Sequence, residues 1–157
     1  NDTIIIRYAR AEMGQGSMTS APMMIAEELD LEEFTPAVGQ GSVAIEAAKS
    51  LDSPLRQQII QACNHPETES RLKAERAYLR VLEGGCSIPV FALATVADEV
   101  LKLRGGIISL DGQNRISLEV SGEKSDAENL GKELASLVFA AGGKEILDEI
   151  KKSQQNK

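Results

Sequence analysis

The dipeptide Asp111-Gly112 lies between two runs of apolar and β-branched residues, and it constrains the fold of this 157-residue chain more than any other local feature. An Asp-Gly pair favours the tight turn of a β-hairpin, because these two residues tolerate the backbone angles that the turn requires. The sequence therefore predicts antiparallel strands over residues 101–110 and 115–120. A further apolar run over residues 88–95 predicts a third strand.

Helices are expected to cover one face of this sheet, because three strands need a packed apolar face to be stable. Ser125 and Glu128 have the spacing of a capping box, which predicts the start of a helix. Apolar residues then recur at helical spacing over residues 127–141, up to a glycine pair. A short helix is predicted after that pair, over residues 144–151.

Two more helices are predicted before the first strand. Ser53 as the cap and Pro54 in the first turn indicate where the first of them begins. One face of this helix has apolar residues at four-residue spacing: Leu55, Ile59 and Cys63. Cys63 is therefore expected to fill the core.

The second helix is predicted over residues 66–83, with a partial apolar stripe of Leu72, Leu79 and Leu82. The glycine pair that follows is expected to end this helix. His65, at the helix start, is expected to be a cap or a surface residue rather than a general base.

The first third of the chain shows weaker patterns, which suggest strands over residues 3–8 and 42–48 and a helix over residues 21–29. We predict three parts: a partial α/β segment at residues 1–49, an α+β domain at residues 50–152 and a frayed tail at residues 153–157. The predicted fold class is therefore α+β, with a C-terminal three-stranded antiparallel sheet covered by helices, preceded by the partial α/β segment.

Composition argues against several kinds of partner. A net charge of −7 without a dense cluster of Lys or Arg argues against nucleic acid. The apolar runs are too short to cross a membrane, and two cysteines with one histidine are too few for a zinc site. The two cysteines do not suggest a disulfide framework either, so the expected compartment is the reducing cytoplasm. The composition does not indicate an oligomeric state.

Gly84-Gly85-Cys86 lies at the predicted junction of the second helix and the first strand. Two glycines leave space around the sulfur atom, so a bulky ligand can approach it closely. The alternative is a half-buried structural cysteine, because free cysteine is often a small core residue. Cys86 is thus a candidate for a thiol that is used in chemistry.

Residues 74–86, AERAYLRVLEGGC, closely resemble the cysteine segment of the hydroxymethylbilane synthase family, also called porphobilinogen deaminases. Residues 35–46, TPAVGQGSVAIE, resemble the second signature of the same family. The order and spacing of the elements fit as well. The resemblance covers about residues 34–152 and corresponds to the C-terminal portion of these enzymes.

This resemblance implies a transferase of tetrapyrrole and heme biosynthesis that joins four porphobilinogen units into a linear tetrapyrrole and releases ammonia. It implies that Cys86 holds a dipyrromethane cofactor through a thioether, with Gly84 and Gly85 leaving room for the pyrrole ring. Gln40 and Gly41 correspond to positions near the bound oligopyrrole. The implied partners are porphobilinogen and oligopyrrole intermediates, and members of the family are usually monomeric.

Part of the family's machinery has no counterpart in this chain. The carboxylate that assists ammonia loss lies upstream in the family, so no catalytic residue is assigned, and no metal site is implied. Ala48 stands where the family usually has an arginine, and Phe91 stands where glycine is common. Residues 12–30 resemble a segment of the large subunit of molybdenum hydroxylases, but no molybdopterin site is carried over. We therefore expect the chain alone to be inactive.

Two alternatives stay open. Arg76 and Arg80 share one helix face, so they form either a site for an anionic ligand or, more commonly, a solvated pair bridged to Glu69, Glu75 or Glu83. For the whole chain, the alternative function is a non-catalytic α+β module for binding or assembly that keeps the fold without the cofactor.

Overall fold

The structure is a computed structural model, and it describes residues 35–39, 41–42, 45, 48–83 and 88–155. The chain divides into two units, Asn1–Thr35 and Pro36–Lys157, and all the described helices and strands belong to the second unit. The strand predicted over residues 3–8 and the helix predicted over residues 21–29 lie outside the described residues.

The described residues of the range 42–48 contain no strand, although one was expected there. Of the strand predicted over residues 42–48, the structure describes Ser42, Ile45 and Ala48, and none of these three is in a strand. The domain boundary predicted after residue 49 falls inside the second unit, shortly before the first described helix.

Two helices precede the sheet: α1 spans Ser53–Cys63 and α2 spans Pro66–Val81. Helix α1 begins one residue earlier than predicted, because Asp52 rather than Ser53 occupies the capping position. His65 caps α2 as expected, since its Nδ1 accepts a hydrogen bond from the Thr68 backbone N–H at 3.3 Å.

The expectation that Cys63 fills the core is wrong. Its side chain is exposed, and α1 buries none of its residues. Leu55 and Ile60 on the same helix are each 45% exposed. Apolar spacing predicts which residues share a face, but burial also needs a partner surface, and no element in the described part of the chain covers this one.

The sheet has three antiparallel strands in the order β1-β2-β3: β1 is Val90–Ala97, β2 is Val100–Ile108 and β3 is Arg115–Glu123. The predicted three-stranded antiparallel sheet is therefore confirmed, with strand ends shifted by a few residues. Side chains alternate along β1 and β2, and those that face the helices are buried, among them Ala92, Ala94, Leu101, Leu103 and Ile107.

The predicted hairpin turn lies between β2 and β3. Gly112 has a φ of +72°, which glycine adopts without steric cost. The connection is longer than a two-residue turn, because the Ser109 N–H donates to the Asn114 carbonyl at 2.8 Å. The Asp111 carboxylate accepts a hydrogen bond from the Gln113 backbone N–H at 3.1 Å, and this bond within the loop stabilises its conformation.

Helix α3 spans Ala127–Val138 and follows a short 3-10 turn at Lys124–Asp126. The predicted capping box is not formed. Ser125 Oγ donates to the Glu123 carboxylate at 3.2 Å, and the residue at the start of α3 makes no side-chain capping bond. The 3-10 turn shifts the helix start beyond Ser125, so this hydroxyl no longer faces the first free N–H groups of the helix.

Helix α4 spans Lys144–Gln155 and is separated from α3 by a π-helical turn, Phe139–Gly143. Gly142 in this turn has a φ of +100°, so the helix axis breaks at the predicted glycine pair. The tail predicted from Ser153 onwards is helical as far as Gln155.

The core lies between one face of the sheet and helices α2, α3 and α4. Its fully buried large side chains come from all of these elements and from Leu82: Tyr78, Leu82, Leu101, Leu103, Ile107, Leu134, Val138 and Ile150. Helix α2 is thus fixed on the sheet at its C-terminal end. None of the described helices has the length and apolarity needed to cross a membrane.

Candidate functional site

Helix α2 leads directly to the candidate thiol. It ends at Val81, and the Leu82 N–H donates to the Tyr78 carbonyl at 3.2 Å. Glu83 follows with a φ of +52°, a conformation that is uncommon outside glycine. The helix therefore stops before the glycine pair that was expected to end it. The predicted site residues of this loop lie outside the described residues: Gly84, Gly85 and Cys86.

The chain is anchored on both sides of residues 84–87. Leu82 is fully buried before this segment, and Ile88 packs against the core after it. Glu83 Oε2 accepts a hydrogen bond from Lys151 Nζ of α4 at 2.7 Å. This bond and the charge of Lys151 lower the pKa of the Glu83 carboxyl. The described residues on both sides of residues 84–87 are therefore held against the domain.

The second sequence signature, at residues 36–42, lies beside α2 and β1. The Ala92 N–H of β1 donates to the Pro36 carbonyl at 3.2 Å. The Ser42 N–H donates to the Gly39 carbonyl at 3.2 Å and closes a turn. We call residues 36–42 the signature turn.

Two residues of this turn were expected near a bound oligopyrrole, and the structure describes one of them. Gly41 is exposed and has a φ of +78°, so the turn presents its backbone without a side chain. Gln40 lies outside the described residues.

Glu75 connects the signature turn to the sheet through helix α2. Its side chain is only 6% exposed. Oε2 accepts the Gly39 N–H at 2.7 Å, and Oε1 accepts the Ala94 N–H of β1 at 2.8 Å. Hydrogen bonds to a carboxylate are stronger than bonds between neutral groups. One side chain therefore fixes the position of the turn relative to the helix that leads to Cys86.

Burial raises the pKa of the Glu75 carboxyl, because its removal from water disfavours the charged form. The hydrogen bonds from Ala94 and Gly39 oppose this shift, and so does the charge of Arg71. The net direction is upward, so desolvation is the larger effect.

Sequence reasoning missed the structural role of Glu75 and considered it only as a surface partner for arginines. A signal was present, because Glu75 lies one helical turn after Leu72 and one before Leu79. It therefore fills the gap in the predicted apolar stripe. A carboxylate at such a position is expected to be buried with hydrogen-bond partners of its own.

Arg76 and Arg80 are not bridged to the glutamates that were expected to pair with them. Glu69 Oε1 lies 2.7 Å from Lys73 Nζ. Glu75 bonds backbone N–H groups, and Glu83 bonds Lys151. Both arginines are exposed, and no salt bridge joins either of them to another described residue. The expected bridges to Glu69, Glu75 or Glu83 are therefore not formed, although both arginines are exposed to solvent as expected.

Both arginines line a pocket between the signature turn and α2, with a volume of about 390 Å³. We call it the signature pocket, and its described lining residues are Val38, Gly39, Ser42, Leu72, Arg76, Leu79 and Arg80. Three of these are aliphatic, and none is acidic. The pocket therefore combines an apolar wall with positive charge.

A larger cavity of about 580 Å³ runs along α1 and α2 and shares Leu72, Arg76 and Arg80 with the signature pocket. Its lining includes the carboxylates of Glu69 and Glu128, so its charge is mixed. Across the residues that the structure describes, no three His, Cys, Asp or Glu side chains are close enough to hold a metal ion.

Comparison with known proteins confirms the resemblance found in the sequence. Residues 70–140 match the family model of the porphobilinogen deaminase C-terminal domain. The chain is 48% identical to the porphobilinogen deaminase of Cytophaga hutchinsonii over 152 residues, which is 96% of the chain and 47% of that protein. It is 40% identical to the enzyme of the same name from Desulfosudis oleivorans over 154 residues, 98% of the chain and 48% of the relative. For Thermus thermophilus the identity is 43% over 128 residues, 81% of the chain and 42% of the relative.

The chain spans about half the length of these relatives. Alignments over 96% and 98% of the chain necessarily include residues 12–30, which by inspection resemble a molybdenum hydroxylase segment. The similarity to porphobilinogen deaminases therefore reaches further towards the N-terminus than the expected residues 34–152.

Proposed function

Residues 70–140 belong to the porphobilinogen deaminase C-terminal domain family, and from this premise we propose that the chain is the C-terminal part of a hydroxymethylbilane synthase. Such an enzyme is a transferase that joins four porphobilinogen units into a linear tetrapyrrole and releases ammonia from each incoming unit. The observation that carries the proposal is the 48% identity over 96% of the chain to a porphobilinogen deaminase. The expected compartment remains the cytoplasm.

We assign the attachment of the dipyrromethane cofactor to Cys86. When bound, this cofactor supplies the primer to which pyrrole units are added. A thiolate is a strong nucleophile, and the carbon–sulfur bond of a thioether is stable through later turnovers. The packing of the described residues on both sides of residues 84–87 supports this assignment, because Leu82 is buried in the core and Ile88 packs against it. Gly84 and Gly85 would leave room for the pyrrole ring.

The described lining residues of the signature pocket fit a group that carries several carboxylates. Arg76 and Arg80 have no ion-pair partner in the described part of the chain, and the described lining of the signature pocket holds no acidic side chain. The exposed backbone at Gly41 and the amide of Gln40 are further candidate groups for acetate and propionate arms.

The chain covers only about half of its relatives, so the proposal is tested by supplying the other half. The N-terminal part of the Cytophaga hutchinsonii relative is fused to this chain at the start of the alignment, and the intact mass of the purified fusion is measured. We expect a mass increase equal to two joined pyrrole units. The matched Cys86→Ser fusion should show no increase.

A folded native fusion with an unmodified mass would contradict the proposal and favour the non-catalytic binding or assembly module. The complete relative, produced in the same way, is the positive control, because its own mass shows that the cofactor is available during expression. Turnover of porphobilinogen by the native fusion, and its loss in the Cys86→Ser fusion, gives a second readout.

A further inference from the structure

We propose that Asp111-Gly112 is a site of spontaneous isoaspartate formation in the unfolded chain, and that the hairpin loop suppresses this reaction in the folded domain, with Ser109 as the positioning residue. The modification changes the linkage of one peptide bond and consumes no reagent other than water. Nothing in the reaction depends on the proposed function, because it involves only the loop between β2 and β3.

The sequence makes this pair the most reactive of its kind in the chain. The chain has one Asp-Gly pair and no Asn-Gly pair, and every other aspartate is followed by a residue with a side chain. Such a side chain hinders the approach of the backbone nitrogen to the preceding carboxyl, and glycine has none. A Cβ built on Gly112 would meet no atom within 4 Å, and both residues are exposed to water. Only the loop conformation therefore opposes the reaction.

The reaction passes through a cyclic succinimide. The Gly112 nitrogen attacks Asp111 Cγ, a carbon–nitrogen bond forms, and the hydroxyl of the protonated carboxyl leaves with the amide proton as water. Water then adds to either carbonyl of the ring. If the new bond breaks, aspartate returns. If the original peptide bond breaks, the main chain passes through the side-chain carbons of residue 111 as isoaspartate, and the mass of the chain is unchanged.

The folded loop keeps the attacking nitrogen in a hydrogen bond. The Gly112 N–H donates to the Ser109 carbonyl at 2.9 Å, and the Ser109 N–H donates to the Asn114 carbonyl at 2.8 Å. Ile108 pairs with Arg115 directly beyond the loop, so the strands fix both of its ends. The nitrogen must lose its proton and its bond to Ser109 before it can reach Cγ. Attack therefore requires the loop to open.

The same loop makes the carboxyl a poorer electrophile. Ser109 Oγ donates to Asp111 Oδ1 and accepts the Asn114 N–H at 3.0 Å, and Oδ1 also accepts the Gln113 N–H at 3.1 Å. The bond from Ser109, followed by that from Gln113, lowers the pKa of the Asp111 carboxyl. An ionised carboxylate repels a nucleophile and has no hydroxyl to release as water.

Ser109 thus acts on both reacting groups, through its carbonyl on the Gly112 N–H and through its hydroxyl on the Asp111 carboxylate. Unfolding removes both contacts at once. Isoaspartate at residue 111 should therefore accumulate with the time that a chain spends unfolded, and it marks such chains chemically.

The test is the rate of isoaspartate formation at neutral pH in the folded native chain, in the same chain in urea and in folded Ser109→Ala. Methylation by an isoaspartyl carboxyl methyltransferase counts the modified chains, and electron-transfer fragmentation of the tryptic peptide 105–115 locates the site. The chain in urea should react at least about tenfold faster than the folded chain, because the reaction requires opening. Ser109→Ala should react about fivefold faster than the folded native chain, because it loses a hydrogen bond to a charged group.

Three control variants separate the hydroxyl from other effects. Ser109→Thr keeps the hydroxyl, and Ser121→Ala removes one from an exposed position of β3 outside the loop, so both should react within about twofold of the native chain. Gly131→Ala weakens the packing of the helices far from the loop and should also react at the native rate while it is folded. A rate in Gly131→Ala as high as that in Ser109→Ala would assign the effect to global unfolding and contradict the role of Ser109.

Equal rates in the folded native chain and in urea would overturn the proposal. A folded Ser109→Ala chain that reacts within twofold of the native chain would overturn the assignment of the protection to Ser109. Isoaspartate at a different residue of the chain in urea, with none at residue 111, would contradict the choice of site.

Discussion

At the scale of single residues, Glu75 joins parts of the chain that are far apart in sequence. Its two oxygens accept N–H groups from Gly39 and Ala94, and its side chain is almost completely buried. Both donors would lose their acceptor together if the carboxylate were removed. The residue thus has a larger structural effect than its place in a charged helix suggests.

Replacing Glu75 with alanine should therefore destabilise the domain. Two backbone N–H groups would be left without this acceptor, and the expected loss is about 2–4 kcal/mol of unfolding free energy. Urea unfolding of Glu75→Ala measures it, with Glu133→Ala as a control at an exposed position of α3, expected within about 0.5 kcal/mol of the native chain. A loss in Glu75→Ala as small as that of the control would contradict the role assigned to Glu75.

The raised pKa of Glu75 predicts a pH dependence of stability. The pKa of this carboxyl is higher in the folded state than its ordinary value of 4.5. Between these two pKa values the folded state therefore binds more protons than the unfolded state, and folding takes up a proton. The resulting stabilisation is complete below 4.5 and is lost as the pH rises through the raised pKa of the folded state. Glu75→Gln cannot titrate at this position. The difference in unfolding free energy, native minus Glu75→Gln, should therefore fall as the pH rises from 4 towards neutrality, and a difference that rises would contradict the upward shift.

Phe91 stands where glycine is common in the family, and its neighbours accommodate the larger side chain. A Cβ built on Gly106 of the paired strand would lie 2.7 Å from Phe91 Cζ, so the ring occupies the space that a side chain at Gly106 would need. The Arg115 guanidinium lies 5.2 Å from the centre of the same ring, within the range of a cation–π contact. Phe91 and Gly106 thus form a complementary pair on the open face of the sheet.

At the scale of elements, helices α2 and α3 approach each other closely at Gly131. A Cβ on Gly131 would lie 2.3 Å from the Ala74 carbonyl oxygen and 2.7 Å from the Ala77 Cβ. Alanine at this position would therefore push the two helices apart. Both helices contribute to one core, so the displacement would affect the core as a whole.

Gly131→Ala is expected to destabilise the domain by about 1–3 kcal/mol, in spite of the better helix propensity of alanine. The atoms in the way are mostly backbone and cannot rotate aside. Thermal unfolding measures the effect, and Ser136→Ala on the exposed face of α3 is the control, with no loss expected. An increase in melting temperature for Gly131→Ala would mean that propensity outweighs the clash.

The elements that sequence patterns predicted correctly are those set by local chemistry. The Asp111-Gly112 turn, the strands beside it and the His65 cap depend on neighbours in the chain. The prediction that Cys63 is buried was wrong, because burial depends on a second surface that covers the helix face. The roles of Glu75 and of the arginine pair depend on which side chains meet in three dimensions, and helical spacing alone does not determine that.

At the scale of the whole molecule, the chain presents an anchored frame for Cys86 but spans only about half of its relatives. The purified chain alone should therefore show no production of hydroxymethylbilane. A colorimetric assay for the tetrapyrrole product checks this, with the complete Cytophaga hutchinsonii relative as the positive control. Product formation by the chain alone would show that the necessary groups are all present within it.

The contacts of Glu75 and Pro36 also affect how the molecule behaves in concentrated solution. Strand β1 is at the edge of the sheet, where free N–H groups can pair with a strand of another molecule. The outward N–H groups of Ala92 and Ala94 are already bound, one to the Pro36 carbonyl and one to the Glu75 carboxylate. At Ala92 and Ala94 the β1 edge is therefore protected against intermolecular strand pairing by the same two contacts that position the signature turn.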